Sequence, residues 1–224
     1  MVIPDTNIRY IAIEGVIGAG KTSLARLLRK EIGGQLILEK FEENPFLERF
    51  YQDPRRYAFQ TQIFFLVTRF KQLQQVLQPS LFDDFIISDY TFDKDRIFAD
   101  LNLNPDEMAL YNMVASQLQK SLVTPDLVVY LQSSVDRLME NIAKRGRSFE
   151  HNMSREYIES LNEAYNYYFF RYKASPLLIV KATDIDFVEN KRHLEDLIHA
   201  IMRPNRVAME YFTPLGDFGL SGEG

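Results

Sequence analysis

Short apolar runs alternate with longer segments of helical pattern along most of the chain. The runs predict strands over Ile8–Ile13, Gln35–Leu38, Phe85–Ser88, Leu127–Leu131 and Leu177–Val180. Their apolar residues are largely consecutive instead of alternating with polar ones, which is typical of strands buried on both faces of a parallel sheet. The pattern therefore predicts an α/β fold with a five-stranded parallel sheet flanked by helices.

The segments outside these runs have the spacing of helices. They predict helices over Lys21–Glu31, Arg56–Gln78, Asp106–Leu122, Val135–Lys144, Arg155–Tyr172 and Phe187–Met202. No internal repeat or glycine/serine linker divides the chain, so we expect one domain over residues 1–203. Residues 204–224 contain four glycines and two prolines, and we expect them to form an irregular tail.

A glycine-rich segment joins the first predicted strand to the first predicted helix. It reads Gly15-Val16-Ile17-Gly18-Ala19-Gly20-Lys21-Thr22-Ser23 and fits the pattern G-x-x-x-x-G-K-[ST]. In this context glycines let backbone N–H groups turn toward an anion, and the helix N-terminus adds partial positive charge. We therefore expect a triphosphate site, with Lys21 on the terminal phosphates and Thr22 on Mg²⁺.

Composition narrows the function classes further. The net charge of -5 argues against a nucleic-acid polymer as partner, because the chain lacks a large positive field. The absence of cysteine excludes disulfides, thiolate metal sites and a cysteine nucleophile. No apolar run approaches the ~20 residues that span a membrane, and the N-terminus lacks the pattern of a signal peptide. We expect a cytoplasmic protein without a membrane partner.

Three acidic residues follow predicted strands, at the sheet edge where ligands of such folds gather. Glu14 ends the first strand, Glu39 the second and Asp89 the third. Asp89 has the placement of an acid that holds Mg²⁺ beside a phosphate loop. Glu39 is the best-placed general base for an acceptor hydroxyl. Alternatively, either acid only caps the turn that follows it.

Two further polar features are ambiguous by themselves. Arg145-Gly146-Arg147 suits a lid over phosphates at about residues 144–153, although arginines at a helix C-terminus are also favoured by the helix dipole. Gln62 and Arg69 lie seven apart on nearly one helix face and can read a base edge, or can be solvated surface groups. The aromatic run Tyr165–Tyr172 favours core or a subunit interface over a ligand site.

Taken in order, these features resemble the deoxyribonucleoside kinase family, which includes deoxycytidine, deoxyguanosine and deoxyadenosine kinases. The resemblance runs from the glycine-rich segment to about Phe187, most of the chain. It rests on Glu39 with Glu43-Asn44-Pro45-Phe46, Tyr51, Gln62, Arg69, Asp89-Tyr90-Thr91 with Asp95 and Ile97-Phe98-Ala99, Lys144-Arg145-Gly146-Arg147 with Glu150, and Asp186-Phe187. The glycine-rich segment alone occurs in many families, whereas the ordered set is specific.

The resemblance implies a role for each matching residue. The catalytic residues would be Glu39, as base for the nucleoside 5′-hydroxyl, with Lys21, Arg145 and Arg147. ATP would be bound by Gly15, Gly18, Ala19, Gly20, Lys21, Thr22, Ser23, Asp186 and Phe187. The deoxynucleoside would be bound by Glu39, Tyr51, Gln62, Arg69, Asp95, Phe98 and Glu150, with Tyr51 and Glu150 on the 3′-hydroxyl. Mg²⁺ would be held by Thr22 and Asp89.

The resemblance also implies a P-loop kinase fold with a helical lid, and a homodimer formed through a helical bundle. Two positions depart from the family pattern. Tyr90 stands where an arginine commonly follows the strand-three acid, and Asn141 where another arginine commonly precedes the lid. Because those arginines normally face phosphates or the reacting hydroxyl, we expect other cations in their place. The candidates are Lys94, Arg96 and Lys144.

The function that these features predict is ATP-dependent phosphorylation of the deoxyribonucleoside 5′-hydroxyl, for nucleotide salvage. The resemblance to a bacterial-type subgroup of purine deoxynucleoside kinases favours purine deoxynucleosides. Deoxycytidine is a close alternative, because the Gln62 amide can pair with adenine, cytosine or guanine edges. A monophosphate kinase of the thymidylate kinase type is the alternative within kinases, but Glu150 would repel an acceptor phosphate. A regulatory GTPase would need Asn-Lys-x-Asp, whereas Asn190-Lys191 is followed by Arg192-His193.

Overall fold

The computed structural model describes residues 8–77, 85–150 and 153–212. Within them the strands are β1 (Tyr10–Gly15), β2 (Gln35–Ile37), β3 (Ile86–Ser88), β4 (Leu127–Gln132), β5 (Leu177–Lys181) and β6 (Met209–Phe212). All pair in parallel, in the order β2-β3-β1-β4-β5-β6. The predicted α/β fold with a parallel sheet flanked by helices is confirmed.

Eight α-helices lie in the described part of the chain. They are α1 (Lys21–Ile32), α2 (Leu47–Gln52), α3 (Pro54–Leu73), α4 (Asp93–Asn102), α5 (Pro105–Gln119), α6 (Val135–Arg145), α7 (Arg155–Phe169) and α8 (Lys191–Met202). Short 3-10 turns cover Phe41–Glu43, Gln74–Leu77 and Ser148–Glu150. None of these helices is long and apolar enough to cross a membrane.

The centre of the sheet is buried on both faces. Every residue of β1 is buried, and in β4 all but the last residue are. This burial explains the continuous apolar runs that predicted these strands, since no face of a central parallel strand reaches water. The carboxyl ends of β1, β2 and β3 are adjacent, so the residues that follow these strands meet at one edge of the sheet.

The prediction of five strands is wrong by one. The sixth strand, β6, pairs with β5 at the edge of the sheet and lies inside the segment 204–224 that we expected to be irregular. None of its four residues is fully buried, and one of them is Glu210, so no apolar run marks the strand. Residues 213–224 lie outside the described residues.

Several helix boundaries differ from the predicted ones, for local reasons. Helix α3 begins at Pro54 because the Asp53 side chain accepts a hydrogen bond from the backbone N–H of Arg56. Helix α8 begins at Lys191, later than predicted, because Asn190 caps it in the same way. Helices α2 and α4, of six and ten residues, were not predicted because they are too short to show a clear period.

The aromatic run on α7 serves the core. Tyr165 and Phe169 are fully buried, and the Phe169 ring stacks on Tyr130 of β4 at 4.5 Å. Tyr167 and Phe170 face outward, with 64% and 51% of their surface exposed. The run therefore divides between a buried face and an exposed face, as an amphipathic helix does.

Candidate functional site

The glycine-rich segment forms a tight loop between β1 and α1. Gly18 and Gly20 have φ angles of 87° and 93°, which glycine adopts without strain. Lys21 folds back over the loop and donates from Nζ to the carbonyls of Gly15 (2.7 Å) and Val16 (3.0 Å). Burial, together with the neighbouring Lys94 ammonium, lowers the pKa of Lys21 to about 8.

Two elements pack directly on this loop. A Cβ atom at Gly18 would lie 2.7 Å from the carbonyl oxygen of Leu138 on α6, and one at Gly20 would lie 3.1 Å from the Phe187 ring. The Asn141 amide donates to the Gly18 carbonyl at 2.8 Å. Asn141 therefore ties α6 to the loop by a neutral hydrogen bond, at the position where the family pattern has an arginine.

Asp89 joins the loop to the end of β2. Its carboxylate accepts from the Thr22 hydroxyl (2.6 Å) and from the backbone N–H of Glu39 (2.8 Å). Asp89 is 3% exposed, so these oxygens are fixed at the sheet edge. Glu14 has a different role: it is fully buried and accepts from the backbone N–H (2.6 Å) and hydroxyl (2.9 Å) of Thr91.

The Glu39 carboxylate lies between two buried cations. Its Oε1 accepts from Nε (2.9 Å) and Nη2 (2.6 Å) of Arg69, and its Oε2 accepts from Nζ of Lys94 (2.5 Å). Burial opposes ionisation here, but Lys94 and Arg69 outweigh it and hold the pKa of Glu39 well below its usual value. Glu39 is therefore a carboxylate at neutral pH.

Arg69 also connects Glu39 to a second acid. Its Nη1 donates to the Asp95 carboxylate, and its guanidinium lies 4.5 Å from the centre of the Phe65 ring. Gln62 donates to the Asp95 backbone carbonyl at 2.8 Å. Gln62, Arg69 and Asp95, which we predicted to contact the nucleobase, thus form one buried network between α3 and α4. Asp95 binds Gln62 and Arg69 and is not itself among the residues that line the cavity beside Glu39.

The lid arginines are held by one buried carboxylate. Glu150 accepts from Nε (3.1 Å) and Nη2 (2.5 Å) of Arg145, and Nη1 of Arg147 lies 3.5 Å from it. The Arg147 guanidinium also stacks over the Phe41 ring at 3.9 Å. The two arginines of the predicted lid are therefore tied to Glu150, and Arg147 also contacts the segment after β2. Residues 151–152 of the predicted lid lie outside the described residues.

One cavity brings most of the predicted residues together. The predicted residues that line it are Lys21, Thr22, Glu39, Tyr51, Gln62, Arg69, Asp89, Phe98, Arg145, Arg147 and Glu150. Its walls also include residues that the sequence did not single out, among them Phe41, Asn102 and Phe149. Phe41 and Phe149 pack at 5.8 Å although they are far apart in the sequence, so no local pattern could have shown the pair.

A second cavity lies on the other side of the loop. It is lined by Gly18, Ala19, Gly20, Ser23, Asp186 and Phe187, together with α6 residues that include Arg137, Asn141 and Lys144. The Asp186 carboxylate accepts from the backbone N–H groups of Val188 and Glu189, which fixes the turn that carries Phe187. Residues of the loop therefore line both cavities, and Arg145 lines both as well.

The structure also places the candidates for the missing arginines. Tyr90 is buried in the core, with its hydroxyl on Gln72 at 3.1 Å. Lys94 is buried against Glu39, whereas Arg96 is exposed and pairs with Asp100 at 3.5 Å. Lys144 lines the second cavity. Of the three candidates, Lys94 alone reaches the first cavity.

Comparisons with known proteins show which family the chain resembles. A family model described as deoxynucleoside kinase matches residues 11–204. A deoxyguanosine kinase from Bacillus subtilis is 37% identical over 191 residues, which are 83% of this chain and 92% of that protein. A deoxyadenosine/deoxycytidine kinase from the same organism is 29% identical, over 89% of this chain and 93% of that protein. The structure of deoxyadenosine kinase from M. mycoides with bound dATP superposes with a TM-score of 0.76 at 31% identity, covering 87% of this chain and all of that chain.

Proposed function

The chain belongs to the deoxynucleoside kinase family, and from that premise we propose that it transfers the γ-phosphoryl group of ATP to the 5′-hydroxyl of purine deoxyribonucleosides. The observation that carries the proposal is the position of Glu39. Its carboxylate lines the same cavity as Thr22 and Asp89 of the loop side and Gln62 and Arg69 of the base side. A carboxylate that can act as general base, placed between a phosphate site and a nucleoside site, is the arrangement that this transfer needs.

The donor phosphates are proposed to bind in the glycine-rich loop, which acts as a P-loop. Lys21 already points over the loop, where it donates to two backbone carbonyls. Phosphate oxygens are stronger partners than these carbonyls because the hydrogen bond then joins opposite charges. We expect the adenine to lie in the second cavity against Asp186 and Phe187. The lid arginines, Arg145 and Arg147, would then offset the charge on the transferred group.

Mg²⁺ fits the oxygen groups beside the loop. The Thr22 hydroxyl and the Asp89 carboxylate lie 2.6 Å apart and both present oxygen, the ligand type that this ion prefers. These two residues would hold the ion, which would supply charge neutralisation between the donor phosphates when bound. The other ligands in such sites are commonly phosphate oxygens and water, so two protein groups suffice.

In the proposed transfer, Glu39 acts as the general base. The 5′-hydroxyl oxygen forms a bond to the γ-phosphorus, and the bond from that phosphorus to the bridging oxygen breaks. ADP leaves with that electron pair, and the hydroxyl proton passes to the Glu39 carboxylate. Because Lys94 and Arg69 keep Glu39 ionised, its carboxylate carries no proton of its own at neutral pH, which a base requires.

The acceptor site is proposed to select a nucleoside over a nucleotide. Tyr51 and Glu150 both line the cavity, where the Tyr51 hydroxyl can donate a hydrogen bond to a sugar hydroxyl and the Glu150 carboxylate can accept one from it. The base would pair with Gln62 and Arg69 and stack on Phe98, whose ring packs edge-on against Tyr165 at 6.2 Å. The names of the relatives support a purine preference, and deoxycytidine is the alternative that one of them also carries in its name.

A homodimer is part of the proposal. Helix α5 exposes Leu110 and Met113, with 48% and 68% of their surface in water. Exposed apolar side chains on one helix suit a subunit interface. The single domain over residues 1–203 and the cytoplasmic location stay predictions of the sequence.

The test is a phosphorylation assay with Mg-ATP on the four deoxynucleosides and, in parallel, on their monophosphates. We expect turnover on deoxyguanosine or deoxyadenosine and none on the monophosphates. Turnover only on a monophosphate would overturn the proposal in favour of a monophosphate kinase. ATP hydrolysis that does not depend on any acceptor would leave only the P-loop assignment.

A further inference from the structure

Lys94 is a buried cation whose capacity for hydrogen bonding is only partly used. Its side chain is 5% exposed, and its Nζ donates to Glu39 Oε2 at 2.5 Å. An ammonium group has three N–H donors. Within residues 8–77, 85–150 and 153–212, Glu39 is the one hydrogen-bond partner that the structure shows for Lys94. Lys94 also lines the acceptor cavity, so its other donors can be offered to a ligand there.

The neighbouring cations are engaged more fully. Arg69 donates to Glu39 through two nitrogens and to Asp95 through a third. Arg145 is bound through two nitrogens to Glu150. Of these three cations, Lys94 is therefore held by the fewest hydrogen bonds to carboxylates.

The product of the proposed reaction brings such a partner. A phosphoryl group on the 5′ oxygen would lie beside two carboxylates, the partly buried Glu39 and the buried Asp89, and would be repelled by both. Phosphate in a buried site needs a paired cation, and lysine is a compact one that can turn its ammonium from one oxygen to another.

We propose that Lys94 is a second phosphate-binding lysine of this site, which binds the phosphoryl group once it is on the nucleoside. The inference rests on the proposed function. Lys21 would hold the phosphoryl group on the donor side, and Lys94 would hold it on the acceptor side.

Binding measurements on the full chain test this without turnover. The probes are deoxyguanosine, deoxyadenosine and their 5′-monophosphates, titrated by calorimetry into the wild type and into Lys94→Met, Lys94→Gln and Arg96→Met. Arg96→Met is the matched control, because Arg96 is an exposed cation on the same helix. Lys94→Gln keeps an N–H donor toward Glu39 and so protects the test against a folding defect in Lys94→Met.

We expect both Lys94 variants to bind the monophosphates about 10- to 100-fold more weakly, the loss expected for a hydrogen bond to a charged group. Binding of the nucleosides should change much less, and Arg96→Met should behave like the wild type. Equal losses for nucleoside and monophosphate would overturn the inference, because Lys94 would then only support the pocket. Unchanged monophosphate binding would overturn it as well. A wild type that phosphorylates no deoxynucleoside would instead contradict the proposed function, a result that this titration does not depend on.

Discussion

Replacing Glu39 by glutamine removes the proposed base while keeping the shape of its side chain. The amide oxygen of the introduced glutamine can still accept from Arg69, but it cannot take a proton from a hydroxyl. The substitution also leaves Lys94 without its carboxylate partner, which lies 2.5 Å away in the wild type. It therefore acts on catalysis and, separately, on the buried charge network.

The two effects differ in kind and can be separated. A positioned base contributes about 10²- to 10⁴-fold to a rate, which corresponds to about 3–5 kcal/mol of barrier. Removing one charge from a buried pair costs about 3–5 kcal/mol of folding free energy. We expect the lower end of that range, because Arg69 keeps its second partner, Asp95.

The assay measures kcat at saturating Mg-ATP and deoxynucleoside, with the dissociation constant for ATP and the melting temperature measured on the same samples. We expect kcat to fall by about 10²-fold or more while ATP binding stays near that of the wild type. Glu43→Gln is the matched control, because Glu43 is an exposed acid nearby whose partner is Lys40. It should keep full activity.

A Glu39→Gln variant with kcat close to the wild type would refute the reasoning. The base would then have to be Asp89 or solvent, and the paired cations around Glu39 would have only a structural role. A fall in kcat that is matched by an equal loss of ATP binding would also refute it, because it would indicate a disordered loop instead of a missing base.

Three other predictions follow from the same geometry. Gly18→Ala should lower the free energy of unfolding more than Gly33→Ala does, and it should also weaken ATP binding. Both glycines have a positive φ, which destabilises a residue with a Cβ by about 1–2 kcal/mol, but of the two only Gly18 has a backbone oxygen where the added Cβ would lie. Melting curves and ATP titrations measure the two effects. ATP binding should take up a proton near pH 8 and weaken as the pH rises further, because Lys21 has a pKa of about 8 in the free protein and a bound phosphate raises that pKa. Calorimetry in buffers of different ionisation enthalpy measures the proton uptake. An equal heat of binding in all buffers would contradict the prediction. Glu150→Gln should raise KM for the deoxynucleoside about tenfold through the lost charged hydrogen bond, whereas the exposed Glu140→Gln should not.

Local patterns in the sequence were sufficient for five of the six described strands and for the place of the glycine-rich loop between β1 and α1. A central parallel strand is apolar on consecutive residues because both its faces are buried, and the glycine spacing is set by a loop only a few residues long. The strand β6 escaped because it is short, lies at the edge and includes Glu210. A sequence pattern therefore predicts a strand when the polarity of the strand's own residues reflects how deeply the strand is buried.

The charge network of the site was decided by the tertiary structure. The sequence could place Glu39, Arg69 and Asp95 on a family pattern, but it left three cations as candidates for the charge that is missing at Tyr90. Of the three, the fold brings Lys94 onto Glu39, because α4 follows β3 at the sheet edge and Glu39 follows the neighbouring strand β2. Residues so far apart in the chain pair only when neighbouring strands align. Burial then distinguishes Lys94 from Arg96, since the exposed Arg96 pairs with its own neighbour Asp100 and is screened by water.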